Sequence, residues 1–202
     1  RSDGRFNPAA GVLTTLWREA EARGHAPTDV ELTPILDDLA HPRWTVVDGR
    51  VERCRDATDC TLNAFAKGWI ADRAAALVLG VDGLLLAAVN AGGDIAVRGP
   101  GRLAVGIEDP HTPWDNAPPL TIVDVAAGGL ATSGSVRRGF DIAGTHHSHV
   151  LDPRTGRSVN DVSSISVVAD STADADALAT ILGVVPPDDA IAEATALDVA
   201  VL

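Results

Sequence analysis

Residues 84–97 read L-L-L-A-A-V-N-A-G-G-D-I-A-V, which is an apolar run, a turn and a second apolar run. The continuous apolar run over 84–90 predicts a buried strand, and 95–97 resumes an extended segment after the turn. Further strands are predicted at 103–107, 120–125, 130–133, 150–151 and 163–168. Because most strands follow one another, with helices before and after them, the sequence predicts an α+β fold rather than alternating βαβ units.

Helical spacing of apolar residues appears on both sides of this strand region. The strongest helical period covers 62–79, where Leu62, Phe65, Trp69 and Ala76 share one predicted face. Other helices are predicted at 8–23, 173–182 and 188–195, with Asp170 and Ser171 as candidate caps for the second of these. Asp48-Gly49 between 44–47 and 50–51 predicts a hairpin, and 199–202 begins a last strand.

The composition limits the classes of partner. Sixteen Lys and Arg against 28 Asp and Glu give a formal net charge of −12 over 202 residues. A charge this negative argues against nonspecific nucleic-acid binding and against anchoring on an anionic membrane. The chain has 46% hydrophobic and 22% charged residues, which is typical of a globular protein.

The ends of the chain indicate a piece of a longer protein. The chain begins at Arg1, contains no Met, and ends in the apolar Ala200, Val201 and Leu202. We therefore expect a single domain over 1–202 that is truncated at both ends. We predict no transmembrane segment in the chain, because no window holds the ~20 uninterrupted apolar residues of a membrane helix. A leader could precede a truncated start.

Two cysteines, Cys54 and Cys60, lie six positions apart. Two unrelated thiols or an incidental disulfide both account for this spacing. A metal site usually needs closer cysteines and further ligands.

Asp176 and Thr180 are separated by four residues on a predicted helix, so the carboxylate and the hydroxyl share a face. Two hard oxygen ligands placed in this way suit Mg²⁺. The alternative is an exposed aspartate beside a threonine that bonds back to the helix backbone.

Two glycine-containing segments could cradle an anion. Asn90-Ala91-Gly92-Gly93-Asp94 follows a strand, and paired glycines let backbone N–H groups approach a phosphate. The alternative is a simple tight turn. Thr132-Ser133-Gly134-Ser135 offers three hydroxyls for a phosphate or a sugar, or simply ends a strand.

His146, His147 and His149 form a histidine cluster before Asp152. Adjacent strand residues point to opposite faces, so at most two of the three histidines could share a zinc ion, and zinc is not favoured. A single His149 beside Asp152 is a better candidate for proton transfer, because imidazole titrates near neutral pH. A surface histidine is the alternative.

The order of these segments resembles the ApbE family, the FAD:protein FMN transferases. The resemblance covers nearly the whole chain. It rests on six motifs in the order of the family: S-D-G-R-F-N-P at 2–8, N-A-F-A-K-G-W-I-A-D-R at 63–73, N-A-G-G-D-I-A-V-R-G at 90–99, G-L-A-T-S-G-S at 129–135, H-V-L-D-P-R-T-G at 149–156, and A-D-A-L-A-T at 175–180.

This resemblance implies a mixed or antiparallel sheet core flanked by helices, and a Mg²⁺-dependent enzyme. Such enzymes transfer FMN from FAD to a Thr or Ser hydroxyl of an acceptor flavoprotein through a phosphoester and release AMP. The implied metal ligands are Asp176, Thr180 and a backbone carbonyl near Ala66. His149 is the implied general base, and Asp152 orients it or supports the turn. The residues implied to bind FAD are Lys67, Asn90, Ala91, Gly92, Gly93, Asp94, Thr132, Ser133, Gly134 and Ser135.

Some alternatives stay open at this point. Asn63 and Ala64 replace two glycines that are usual in the family, and their bulk could narrow the approach to the metal. An FAD pyrophosphatase that gives FMN and AMP would use the same site with water in place of the acceptor, and a non-catalytic FAD-binding protein is the third alternative. Family habit implies a bacterial protein that is exported or attached to the extracytoplasmic side of the membrane, and a cytoplasmic location stays open.

Overall fold

The computed structural model describes residues 2–55, 60–112, 114, 116–136 and 138–202. The chain divides into two compact units, and each is described by itself. The first unit comprises Arg1–Leu62 with Arg138–Asn160, and the second comprises Asn63–Arg137 with Asp161–Leu202. The expectation of one domain over residues 1–202 stays a prediction.

The elements are numbered in chain order. The helices are α1 (Gly11–Arg23), α2 (Asp29–Leu39), α3 (Ala66–Leu79), α4 (Thr172–Leu182) and α5 (Pro187–Ala196). The strands are β1 (Trp44–Val47), β2 (Arg50–Arg53), β3 (Ala87–Ala91), β4 (Asp94–Arg98), β5 (Leu103–Ile107), β6 (Thr121–Val125), β7 (Gly128–Gly134), β8 (Gly139–Ile142), β9 (Thr145–Ser148), β10 (Ser164–Ala169) and β11 (Ala200–Val201).

The first unit packs two helices and two hairpins. Leu13 of α1 is buried with Leu32 of α2, and Trp17 stacks on Phe140 of β8 with ring centroids 5.7 Å apart. The predicted hairpin is confirmed, since β1 and β2 pair as antiparallel strands. The β8–β9 hairpin was not predicted: β8 alternates over only four residues, with Phe140 and Ile142 buried, and β9 is polar throughout.

The second unit contains a five-stranded sheet in the order β11-β10-β7-β4-β3, and every neighbouring pair is antiparallel. Adjacent residues of β4 face opposite sides of this sheet. Ala96 packs under α3, whereas Val97 joins the apolar core formed with the β5–β6 hairpin. Helix α4 packs on β7 and β10 through Ala179 and Leu182. The prediction of an α+β fold with an antiparallel sheet and flanking helices is therefore confirmed.

The prediction of which face of the 62–79 helix is buried is wrong. Helix α3 begins at Ala66 rather than at Leu62, and it buries Gly68, Ala71 and Ala75. Leu62 and Trp69 are exposed by 46% and 48%, and Ala76 is also exposed. The reason is close packing: small residues let α3 approach the sheet and α4, and the large apolar residues are left on the outer side.

Two predicted boundaries also differ. Strand β3 begins at Ala87 and not at 84, and Leu85 is 76% exposed. Residues 84–86 therefore precede the sheet, and their side chains are exposed. Helix α1 begins at Gly11, three residues after the predicted start at Pro8, and 150–151 contributes one isolated bridge from Leu151 to Ser158.

Among the described residues, no helix combines the length and the apolar character that a membrane crossing requires.

Candidate active site

Helix α4 carries two of the predicted metal ligands one turn apart. The helix begins where the sequence predicted, because Ser171 accepts a hydrogen bond from the Asp174 N–H at 3.0 Å and caps the first turn. Asp176 is buried and Thr180 is half-buried. Four-residue spacing places both side chains on one face of α4.

Lys67, in the first turn of α3, pairs with a buried acid at the start of β4. Its Nζ lies 2.5 Å from Oδ2 of Asp94. The Asp94 side chain is 1% exposed, whereas that of Lys67 is 51% exposed. The half-exposed ammonium of Lys67 therefore compensates the charge of a carboxylate that has lost nearly all its water.

Asp176 is the second acid of this cluster. Its Oδ2 accepts a long hydrogen bond from the Gly68 N–H, at 3.4 Å. Loss of water around the carboxyl and the nearby charge of Asp94 raise the pKa of Asp176 to about 6, against the opposing effects of Lys67 and the Gly68 N–H. Two buried carboxyls thus share the positive charge of one ammonium.

This donor set fits Mg²⁺. Ala66 is the first residue of α3 and directly precedes Lys67 and Gly68, whose atoms contact the two acids. A carboxylate, a hydroxyl and a main-chain carbonyl are the hard oxygen ligands that Mg²⁺ prefers, usually with water completing its shell. Within the described parts of the chain, no three His, Cys, Asp or Glu side chains group as a metal site, so oxygens of other types would be needed.

The predicted glycine turn is the two-residue loop of the β3–β4 hairpin. Ala91 pairs with Asp94 across the loop, and Gly92 and Gly93 have φ values of 68° and 103°. Positive φ at both central positions favours glycine. The Asn90 side chain accepts a hydrogen bond from the Gly93 N–H at 2.9 Å. The segment therefore forms a tight turn. The loop is open, since a Cβ on either glycine would meet no atom within 4 Å.

The predicted serine turn is part of a strand. Thr132, Ser133 and Gly134 lie in β7 and pair with β10. Ser135 follows the strand, and its buried hydroxyl lies 2.6 Å from the Val162 carbonyl oxygen, to which it donates a hydrogen bond. The proton of Ser135 is therefore already used within the protein, whereas Thr132 is exposed and Ser133 half-buried.

His149 follows β9 in the first unit, and its side chain is exposed. Its Nδ1 lies 3.1 Å from the Arg138 carbonyl oxygen. Partial withdrawal from water lowers the pKa of His149, and the positive charge of Arg138 lowers it further. The hydrogen bond to the Arg138 carbonyl raises this pKa, but by less. A neutral ring that donates from Nδ1 to this carbonyl leaves the lone pair of Nε2 available to accept a proton.

Asp152 is buried and holds the turn that follows His149. Its Oδ2 lies 2.8 Å from Nη2 of Arg154, and its Oδ1 accepts the Arg154 N–H at 2.9 Å. The Asp152 carbonyl accepts the Gly156 N–H at 2.7 Å, and Trp17 Nε1 donates to the Gly156 carbonyl at 2.9 Å. These contacts fit the predicted role of supporting the turn.

The two neighbouring histidines contact other residues. His146 Nδ1 lies 2.9 Å from Oδ1 of Asp141, and the His147 ring lies 5.0 Å from the Trp17 ring. Both rings therefore have partners within the first unit.

A model of the ApbE family matches residues 1–202. The chain belongs to the ApbE family.

Individual ApbE proteins resemble the chain along nearly its whole length. The FAD:protein FMN transferase of Rhodobacter capsulatus is 34% identical over 207 residues, which cover 94% of this chain and 36% of that protein. The FAD:protein FMN transferase of Treponema pallidum is 34% identical over 200 residues, which cover 89% of this chain and 54% of that protein. The crystal structure of the ApbE protein of Thermotoga maritima matches with a TM-score of 0.83 at 27% identity, covering 100% of this chain and 67% of that one. The chain thus spans about a third to a half of the length of these two curated relatives.

The structure brings the predicted ApbE site residues into two sets. In the second unit, Lys67, Asp94 and Asp176 form one connected cluster at the meeting of α3, β4 and α4. In the first unit, His149 and Asp152 lie on the two ends of one short segment after β9. Ala66 and Thr180 lie on the helices of the first set.

The sequence analysis did not identify Asp72 and Arg98, which lie beside the cluster. Asp72 of α3 accepts hydrogen bonds from the Thr172 and Ala173 N–H groups, both at 3.0 Å, and Arg98 Nη2 lies 2.6 Å from its Oδ1. Asp72 lies within the 63–73 motif that resembles the ApbE family, so the motif contained the signal. The partners of Asp72 on α4 are about a hundred residues away, and spacing could not have revealed them.

Proposed function

We propose that this chain belongs to an enzyme that transfers FMN from FAD to a Thr or Ser hydroxyl of an acceptor flavoprotein, with Mg²⁺ bound by Asp176, Thr180 and a carbonyl near Ala66. The observation that carries the proposal is the buried pair Asp94 and Asp176. This pair forms the kind of negative, oxygen-rich site that a divalent cation would occupy. The names of the relatives, FAD:protein FMN transferases, support the transfer of FMN from FAD to a protein.

The reaction exchanges a phosphoanhydride bond for a phosphoester bond. The acceptor hydroxyl oxygen forms a bond to the phosphorus atom of the FMN half, and the bond from that phosphorus to the bridging oxygen of the pyrophosphate breaks. AMP leaves with the bridging oxygen, and the hydroxyl loses its proton. The products are acceptor-bound FMN and AMP.

His149 takes the proton in this proposal. A general base must be unprotonated at the working pH, and the lowered pKa of His149 favours its neutral form. Nδ1 of the ring contacts the Arg138 carbonyl. Nε2 lies on the other side of the ring, and its lone pair can accept the proton. Asp152 fixes the turn that follows the histidine, through Arg154 and Gly156.

The second unit supplies the binding groups. When bound, Mg²⁺ offsets charge that develops on the phosphoryl oxygens. The Lys67 ammonium holds the Asp94 side chain in place through the 2.5 Å contact between Nζ and Oδ2. FAD is assigned to the exposed Gly92–Gly93 loop and to the hydroxyls of Thr132 and Ser133, of which Thr132 also lies 2.7 Å from the Ser166 hydroxyl.

An assay with FAD and an acceptor flavoprotein tests the proposal. We would incubate the chain with FAD and Mg²⁺, with and without the acceptor, and measure AMP release and the mass of the acceptor. AMP with an FMN-sized mass gain supports the transferase. AMP that forms equally without the acceptor, with no mass gain, supports the FAD pyrophosphatase instead, and no AMP while FAD binds supports a non-catalytic FAD-binding protein.

The matched variants are Asp176→Asn and Asp174→Asn. Both carboxyls lie on α4, but Asp174 is exposed and bonds to the cap residue Ser171. We expect Asp176→Asn to lower AMP release by about 100-fold or more, since metal and electrostatic groups contribute on this scale. Asp174→Asn keeps AMP release within about twofold of the unchanged chain, because a surface substitution has a small effect. Equal activity of the two variants would remove Asp176 from the proposed metal site.

A further inference from the structure

Helix α4 has two independent caps at its start. Ser171 is the local cap, and it satisfies the Asp174 N–H. Asp72 of α3 is the second cap, and its two oxygens accept the N–H groups of Thr172 and Ala173. A single local cap is the usual device for beginning a helix. The second cap therefore does something besides starting α4, namely joining α4 to α3.

Asp72 is itself held in place by the sheet. Arg98 of β4 donates from Nη2 to Oδ1 of Asp72 at 2.6 Å and from Nη1 to the Gly128 carbonyl at 2.7 Å. The side chains of Asp72 and Arg98 are only 13% and 23% exposed. Burial by itself would raise the pKa of Asp72, but the Thr172 and Ala173 N–H groups and the Arg98 charge outweigh it and lower this pKa. Asp72 is thus a fixed, ionised link between α3, α4 and the sheet.

The link lies one turn from the proposed metal ligand on both helices. Gly68 of α3 bonds to Asp176 of α4, and Asp72 of α3 bonds to Thr172 of α4. The two contacts are four residues apart on each helix and run in opposite chain directions, so they are about 6 Å apart along two antiparallel axes. One contact alone would let α4 pivot, whereas two contacts set both its distance and its rotation.

The backbones of α3 and α4 are closely packed between these two contacts. A Cβ on Gly68 would come within 2.3 Å of the Thr172 carbonyl oxygen. The backbones of α3 and α4 therefore touch between the two hydrogen-bonded contacts. A small change in the length of the Asp72 link would move Asp176 and Thr180 together relative to Ala66.

We propose that Asp72 is a positioning residue: by capping α4 from α3, it sets the distance between the Asp176 and Thr180 oxygens on α4 and the Ala66 carbonyl on α3. The inference rests on the proposed metal site. It assigns Asp72 no contact with the metal or with FAD.

The test compares two ways of perturbing the same helix end in the full 202-residue chain. Asp72→Glu keeps the charge and both oxygens but lengthens the link by one methylene. Ser171→Ala removes the local cap and leaves the α3–α4 link intact. Mn²⁺ is the probe metal, and its affinity is measured by the electron paramagnetic resonance signal of free Mn²⁺. A second, metal-free readout is the amide resonance of Gly68, which reports its bond to Asp176.

We expect Asp72→Glu to weaken Mn²⁺ binding about tenfold and to shift the Gly68 resonance, whereas Ser171→Ala lowers the melting temperature but leaves both readouts within error. Mn²⁺ affinity that is unchanged in Asp72→Glu overturns the inference, and so does an equal loss of affinity in Ser171→Ala. If the unchanged chain binds no Mn²⁺ but the Gly68 resonance still responds to Asp72→Glu alone, the proposed metal site fails and the link between the helices stands. Arg98→Lys is the second variant if Asp72→Glu does not fold, and the same two readouts apply to it.

Discussion

Lys67 neutralises a carboxylate that water hardly reaches: its Nζ lies 2.5 Å from Oδ2 of Asp94, whose side chain is 1% exposed. The relationship joins the first turn of α3 to the first residue of β4. A buried charge that loses its partner is costly, because neither water nor another ion replaces the lost contact. The pair therefore affects the stability of the second unit as well as its proposed site.

Replacing Lys67 with methionine tests this dependence. We expect Lys67→Met to lower the free energy of unfolding by roughly 1–3 kcal/mol, at the lower end of the buried range because the lysine is half-exposed. Urea unfolding at neutral pH measures the change. Lys67→Arg is the control that keeps the charge. The double variant Lys67→Met with Asp94→Asn should recover part of the loss, and strictly additive losses would show that the pair is not coupled.

The raised pKa of Asp176 predicts a pH dependence of stability. The folded-state pKa is about 6 against an ordinary value of 3.8. The folded chain therefore binds this proton more tightly than the unfolded chain, so the contribution of Asp176 to stability is full below about pH 4 and is lost as the pH rises through about 6. The loss is up to about 3 kcal/mol for a shift of about two pKa units.

Asp176→Asn isolates this effect, because asparagine does not titrate. We expect the variant to gain stability relative to the unchanged chain between about pH 4 and pH 7, as measured by urea unfolding without metal. Asp174→Asn on the same helix is the control. A stability difference that stays constant across this range would contradict the raised pKa. Mg²⁺ should bind more tightly as the pH rises through about 6, since the proton and the metal compete for one carboxylate.

The lowered pKa of His149 predicts how the rate of FMN transfer depends on pH on the acidic side. Because the pKa of His149 lies below its ordinary value of 6.5, the rate of FMN transfer should rise with pH to a plateau, with a midpoint below 6.5. His149→Gln should lower the rate by roughly 10²–10⁴-fold, the usual contribution of a general base. His146→Gln, which changes an exposed histidine paired with Asp141, is the control. A His149→Gln variant that keeps both the rate and the acidic limb would exclude the histidine as the base.

Gly68 should not tolerate a side chain. A Cβ at this position would lie 2.3 Å from the Thr172 carbonyl oxygen, and this oxygen belongs to the backbone. We expect Gly68→Ala to lower the melting temperature and to cost roughly 1–3 kcal/mol, the range for a forced core contact. Gly80→Ala at the end of the same helix is the control, since its nearest atom would be 3.2 Å away and its φ is −68°. Equal melting temperatures for the two variants would contradict the close approach of α3 and α4.

Sequence patterns predicted several local elements. Ser171 as a cap, the Asp48-Gly49 hairpin and the one-face spacing of Asp176 and Thr180 depend on contacts within a few residues. Such contacts follow from helix and turn geometry alone. Of the residues implied by the ApbE motifs, Asp176 is the one that the structure brings close to Lys67 and Asp94.

Patterns failed where long-range packing determines the outcome. The large apolar residues of α3 were expected to be buried, but the helix turns Gly68, Ala71 and Ala75 inward. Amphipathic periodicity favours the bulky face, whereas close approach of two helices and a sheet favours the small one. The same packing explains why the sequence did not reveal the role of Asp72, whose partners on α4 lie about a hundred residues further along the chain.

The sequence by itself therefore determined the order of helices and strands, the family and the chemical types of the site residues, because these depend on residue identity and short-range spacing. Only the tertiary structure decided which face of α3 is buried, that the buried Asp94 is paired with the half-exposed Lys67, and that Asp72 joins α3 to α4. These outcomes depend on which distant backbones come into contact. Burial then determines whether a carboxylate is solvated, paired or protonated, and no local pattern carries that information.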